Sequence, residues 1–238
     1  MKSGIYRLYF LAIHIALALV LLKSDFLEKV DRKYDFGFTQ NEITDHYHRM
    51  LTYHSRMDSN VPEGSVIFIG DSLTQGLPVS AVAVPSVNYG IGSDTTLGVL
   101  KRIPEYLSIN ESAAVVVAAG INDMRRRSNE EIISNMGEIS EAVPDSIPLI
   151  FSAVLPIDEQ QKGPEREGWN QRIDSLNEQL SVFVEDEDNR YFVDAGDDLI
   201  DSERNLADQF HIGDGVHLSS EGNSIWIEHL KDTLRSSI

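Results

Sequence analysis

The first hydrophobic pattern along the chain is the apolar run Leu8–Leu22 (LYFLAIHIALALVLL), interrupted only by His14 and preceded by Lys2 and Arg7. Lys23-Ser24-Asp25-Phe26 comes next and offers no small-residue cleavage site, so the run reads first as an uncleaved signal anchor, then as a cleaved signal and last as a buried helix. At about fifteen residues it is short beside the roughly twenty of a full span, although Ile5 and Tyr6 extend it and Arg7 can snorkel. Lys23, Lys29, Arg32 and Lys33 crowd the far flank, so charge gives no clean vote on orientation. The general habit of N-terminal anchors favours export of the remainder of the chain. A charge-mixed linker runs on from Asp25. Asn41–Met57 then places Ile43, Tyr47, Met50, Leu51, His54 and Met57 on one face of an amphipathic helix. His46 and His48 are two apart and point in different directions from such a helix. With His54, they read as a solvated helix face and not as metal ligands.

After Pro62 the pattern changes. Ser65–Ile69, Val84–Asn88, Ala113–Ala119, Pro148–Leu155 and Arg190–Val193 are short, mostly continuous apolar runs, as expected of strands in a sheet covered on both faces. Between and after them, Asp94–Ile103, Asn129–Val143, Gly168–Val184 and Glu221–Leu234 carry apolar residues three and four apart, which predicts helices. Alternation of the two predicts a three-layer α/β domain around a parallel sheet of about five strands. The expected organisation is an N-terminal hydrophobic helix over 1–24, a linker and amphipathic helix over 25–60, and the α/β domain over 61–238.

Composition narrows the chemistry. Twenty Lys and Arg against 38 Asp and Glu leave a net charge of −18, which repels nucleic acid and anionic headgroups. The absence of cysteine excludes disulfides, thiolate nucleophiles and Cys-ligated metals, and fits an oxidising compartment.

In parallel α/β sheets function collects at the carboxyl ends of the strands. Gly70-Asp71-Ser72-Leu73 stands after the first run, and Asn88 to Thr95, with Gly90, Gly92 and Ser93, after the second. Gly120-Ile121-Asn122-Asp123 stands after the third, and Asp214-Gly215-Val216-His217 precedes the last helix. Ser72 opens a helix with an exposed hydroxyl and a free N–H. A serine hydroxyl is a weak nucleophile until a base takes its proton. His217 is the candidate base, and Asp214, three residues earlier, can fix its tautomer. Candidate oxyanion donors are the Ser72 N–H, a backbone N–H of the Gly92-Ser93 turn and the Asn122 amide.

Those tetrapeptides, in that order, resemble the SGNH (GDSL-type) esterase and lipase superfamily, small single-domain branch, over roughly Ser65 to Trp226. The resemblance implies a flavodoxin-like α/β/α sandwich, with Ser72 as nucleophile, His217 as base, Asp214 as its orienter and Asn122 as an oxyanion donor. One position departs from the family's pattern. The glycine that usually precedes the turn's Asp is here Ser93, with Gly92 one residue earlier. Ser93 is favoured over Gly92 as donor, on the expectation that its φ is negative. Asp123 is expected to tie its loop together, and Trp169 and Trp226 to pack.

The expected protein is a membrane-anchored serine esterase whose domain is extracytoplasmic, working without metal or organic cofactor and without nucleic-acid partners. Its substrates would be acetyl esters of glycans or acyl esters of lysophospholipids. The alternatives are an O-acyltransferase that passes the acyl group to a sugar, and a non-catalytic member that binds glycan or lipid. Arg125-Arg126-Arg127 is either solvated charge or a cationic rim for an anionic group of the substrate, and Ile157–Gly168 is expected to be a loop that shapes the pocket.

Overall fold

The computed structural model describes Tyr6, Phe10, Leu11, Ile13 and His14, which are helical, and residues 42–238 except 163. Most of the anchor expected over 1–24, and the linker from 25 to 41, lie outside the described residues. Among the described residues no helix is long and apolar enough to cross a membrane.

Each apolar run after Pro62 supplies a strand: β1 (Val66–Gly70), β2 (Ser86–Gly90), β3 (Ala114–Ala118), β4 (Leu149–Ser152) and β5 (Arg190–Val193). The α-helices of this unit are α1 (Asp45–Asp58), α2 (Ser72–Gly76), α3 (Thr96–Arg102), α4 (Asn129–Ala142), α5 (Trp169–Glu185) and α6 (Ser220–Ser237). The sheet order is β2-β1-β3-β4-β5 with every neighbouring pair parallel, the doubly wound order of a flavodoxin-like sandwich. Strand periodicity splits the apolar runs between two cores. Ile67, Ile69, Val115, Val117, Leu149 and Phe151 face α3, α4 and α5, while Val66, Phe68, Ala114, Val116 and Ile150 face α6. Both faces are therefore covered, which makes the three layers.

One expectation about the amphipathic helix, the solvated face read for His54, needs correcting. α1 belongs to the same compact unit as the sheet, Ile43–Ile238. The reason is a set of buried polar ties. Tyr47 Oη donates to the Gly98 carbonyl at 3.0 Å, and Tyr89 Oη donates to Asp58 at 2.9 Å. His54 is not on a solvated face. It is buried, pairs with Tyr106 Oη at 2.9 Å, and burial, reinforced by Arg102, lowers its pKa to about 4, leaving it neutral at physiological pH.

Below the strand ends sits a fully buried cation. Arg102 donates from Nε to Asp94 at 2.8 Å, from Nη1 to the Tyr89 carbonyl and Tyr106 Oη at 2.7 and 2.9 Å, and from Nη2 to the Gly70 carbonyl at 2.9 Å. One guanidinium thus pins the last turns of β1 and β2, the two strands that lead into the Ser72 and Ser93 loops. Removing one partner of such a pair leaves an uncompensated buried charge. Arg102→Leu is expected to cost about 3–5 kcal/mol in urea denaturation, and a variant with the parent's midpoint would contradict the pinning role.

Candidate active site

Ser72 owes its position to the end of β1. A Cβ on Gly70 would stand 2.2 Å from Thr74 Oγ1, and one on Gly90 would stand 2.2 Å from the Gln75 nitrogen, both atoms of α2. Two glycines therefore let α2 lie directly across the strand ends. Asp71 caps that helix, its Oδ1 accepting the Leu73 N–H at 2.9 Å. Burial pushes the Asp71 carboxyl up to about 7, against that N–H, with Asp94 and Asp123 adding to the rise. Ser72, the first residue of the helix, has an N–H without a hydrogen-bond partner among the described residues.

The loop before α6 meets it. Ser72 Oγ lies 2.9 Å from His217 Nε2, and His217 Nδ1 lies 2.5 Å from Asp214 Oδ2. Asp214 Oδ1 accepts the N–H groups of Val216 at 3.0 Å and His217 at 2.9 Å. Its partial burial raises the pKa, but the His217 hydrogen bond and those two N–H groups override that and hold it down at about 2. An ionised Asp214 accepts the Nδ1 proton, so Nε2 carries the lone pair that faces Ser72.

Asn122 stands on a 3₁₀ turn after β3. Its Nδ2 donates one hydrogen to the Asp94 carbonyl at 2.9 Å, which fixes the amide and leaves its second hydrogen for a ligand. Asp123 ties that turn to the start of α3. It accepts the Thr96 N–H at 2.9 Å and Thr96 Oγ1 at 2.6 Å, and it pairs with Arg127 at 3.1 Å. Loss of one oxyanion donor costs about 10²–10³ in kcat. Asn122→Ala is expected to lose that much with its unfolding midpoint preserved, and an undiminished kcat would remove Asn122 from the site.

The Gly92-Ser93 turn differs from expectation. Ser93 has φ +66°, a left-handed conformation, and not the negative φ that sequence reasoning required of it. The backbone keeps a glycine-like turn and the serine carries the strain, about 1–2 kcal/mol for an L-residue. Its N–H is without a partner among the described residues, whereas the Gly92 N–H donates to Gln75 Oε1 at 2.5 Å. The same oxygen of Gln75, on α2, lies 3.4 Å from His46 Nε2. Neither residue was singled out for this role by the sequence, because the contact joins three separate segments.

The arginine triplet is divided. Arg127 belongs to the Asp123 network, and Arg172 donates to the carbonyls of Met124, at 2.6 Å, and Arg127. Arg125 lies over the Trp169 ring at 5.9 Å, with Arg166 at 4.9 Å from the same ring. Trp169 and Val216 pack against one cluster with Ile121 and Met124, so this cationic, aromatic corner borders the Asn122 and His217 loops. Trp226 is buried, its Nε1 donating to Ser152 Oγ at 3.1 Å. The Ile157–Gly168 stretch begins buried and touches the catalytic loop, Asp158 N–H donating to the Gly215 carbonyl at 2.8 Å.

A Ser-His-Asp relay with candidate oxyanion donors from separate loops, at the carboxyl edge of a parallel sheet, is the equipment of acyl transfer. Solved structures share the fold. A Streptococcus pneumonia protein named for platelet activating factor is 22% identical over 92% of this chain and 99% of its own, with a TM-score of 0.72. A GDSL-like lipase from Bacteroides thetaiotaomicron is 22% identical over 79% and 98%, with a TM-score of 0.69. An acetyl-xylooligosaccharide esterase from Geobacillus, solved as a mutant, is 20% identical over 72% and 95%, with a TM-score of 0.58. No curated protein matches the sequence. The model of the GDSL-like lipase/acylhydrolase family matches residues 68–225, which span the relay and the donor loops, and the chain belongs to that family of ester hydrolases.

Proposed function

We propose that this protein hydrolyses carboxylic esters through an acyl-enzyme on Ser72. The observation that carries the proposal is the continuous relay from Ser72 Oγ through His217 to Asp214. In the first half-reaction Ser72 Oγ attacks the ester carbonyl carbon while its proton passes to His217 Nε2. The carbonyl oxygen becomes an oxyanion between the N–H groups of Ser72 and Ser93 and the free hydrogen of Asn122. Collapse of the tetrahedral intermediate breaks the bond to the alcohol, which leaves with the proton from His217. Water then repeats the sequence on the acyl-enzyme, with His217 again as base, and releases the acid.

The substrates are short acyl esters such as acetyl groups on glycans, or the acyl ester of a lysophospholipid. The acetyl-xylooligosaccharide esterase that shares the fold supports the first of these. The apolar run Leu8–Leu22 supports a membrane-anchored enzyme, and the general habit of N-terminal anchors puts the hydrolase on the extracytoplasmic side. Hydrolysis of p-nitrophenyl acetate, butyrate and octanoate by the full chain tests the reading. Fastest turnover of acetate assigns the acetylesterase role, and fastest turnover of octanoate assigns the lysophospholipase-like role. No turnover of any ester by the folded protein overturns the hydrolase.

A further inference from the structure

The loop that carries Asp214 and His217 is itself organised around a histidine with no part in the chemistry above. His211 is 6% exposed and is bridged antiparallel to Leu218, so the two residues close the loop at its base. The Ile212 N–H donates to the His217 carbonyl at 3.0 Å inside that closure. The N–H groups of Gly213, at 2.9 Å, and Gly215, at 3.2 Å, both donate to His211 Nδ1. These glycines have φ +90° and +71°, and they stand on either side of Asp214.

A backbone N–H can only donate, so Nδ1 is the unprotonated ring nitrogen and the neutral ring carries its proton on Nε2. Nε2 is buried without a hydrogen bond, 3.7 Å from Asp158 Oδ2 and 3.6 Å from Asp208 Oδ1. Asp158, Asp208 and His211 have the composition of a metal site. The tautomer argues against one. A ligating Nε2 needs its lone pair, which would put the proton on Nδ1, against two N–H groups already aimed there.

We propose that His211, as its Nε2–H tautomer, is a positioning residue for the catalytic pair. Its Nδ1 gathers the two amides that bracket Asp214 and so sets where the carboxylate and the His217 ring stand. Asp158 secures the same loop from outside through its N–H on the Gly215 carbonyl. The inference rests on the reading of Ser72, His217 and Asp214 as the hydrolytic relay.

Two substitutions in the full chain separate the ring's two edges. In His211→Asn the amide oxygen takes the place of Nδ1 as acceptor. In His211→Gln the amide reaches toward the place of Nε2 and leaves both glycine N–H groups unpaired. Each is assayed for kcat and KM separately, and for the far-downfield proton resonance of the His217 Nδ1–H held by Asp214. The Gln variant is expected to lose about 10²-fold in kcat, the scale of a small misplacement of reacting groups, with KM unchanged and the resonance gone. The Asn variant is expected to keep both near the parent. Activity in Gln with loss in Asn would overturn the inference, as would parent-like behaviour of both. Loss of the parent's activity to a chelator, restored by zinc, would overturn it in favour of a metal site. Should the Gln variant not fold, the Asn variant decides alone: loss of kcat and of the resonance overturns the proposal. If the parent turns over no ester, the hydrolase reading fails, and the resonance still reports whether His211 sets the loop.

Discussion

Ser72→Ala is expected to lower kcat by about 10⁶-fold, the scale at which removing the serine of such a relay costs about as much as removing the whole relay. The reason lies in how the site is divided. His217 and Asp214 have no function in acyl transfer except through the Ser72 hydroxyl, so their contribution disappears with it. The oxyanion donors survive, with whatever contacts bind the substrate, and they polarise the ester for attack by water. A second substitution, His217→Ala, should therefore add little to the first. The side-chain hydrogen bond that Ser72 Oγ makes is the one to His217, so the unfolding midpoint should stay at the parent value. Trapped acyl-enzyme seen by mass spectrometry in the parent and absent in the variant completes the measurement. A variant that turns over p-nitrophenyl acetate at the parent rate would locate the nucleophile elsewhere and remove the central step of the mechanism.

Much of this arrangement was legible in the chain because two kinds of pattern coincide. Continuous apolar runs ending in Gly70 and Gly120 place strands, and the polar residues after them must then stand at the carboxyl edge of the sheet. β2 was the weakest to read, since Ser86, Val87 and Asn88 are only half-buried at the sheet edge and lack a continuous apolar run. The features that stayed hidden depend on contacts between distant segments. No local pattern tells that Gln75 takes the Gly92 N–H, or that Ser93 keeps a left-handed turn without glycine. His54 lies on the apolar face of α1, yet its burial comes from Tyr89 and Tyr106, which lie far along the chain. His211 precedes the Asp214 motif by three residues, and its spacing carries no sign that its ring folds back onto the loop. The arginine triplet looked uniform in sequence, and the fold gives Arg125 and Arg127 different partners.

Asp214→Asn should leave the loop in place and still cost about 10⁴-fold in kcat, the loss seen when a relay histidine is held in the wrong tautomer. The amide oxygen of asparagine can keep the two bonds now made from Val216 and His217 N–H to Oδ1, so the backbone has no reason to move. The amide nitrogen then faces His217 Nδ1 and can only donate to it. That forces the imidazole proton onto Nε2, where it confronts the Ser72 hydroxyl and no lone pair remains to accept the serine proton. Stability should respond to pH in a defined sense. The carboxyl's folded-state pKa is about 2, below its ordinary 3.8, so its contribution is present above the ordinary value and is lost as pH falls toward 2. The Asn variant should lack that component of acid destabilisation in urea titrations taken at successive pH values. An Asn variant with undiminished kcat would mean that Asp214 does not orient His217.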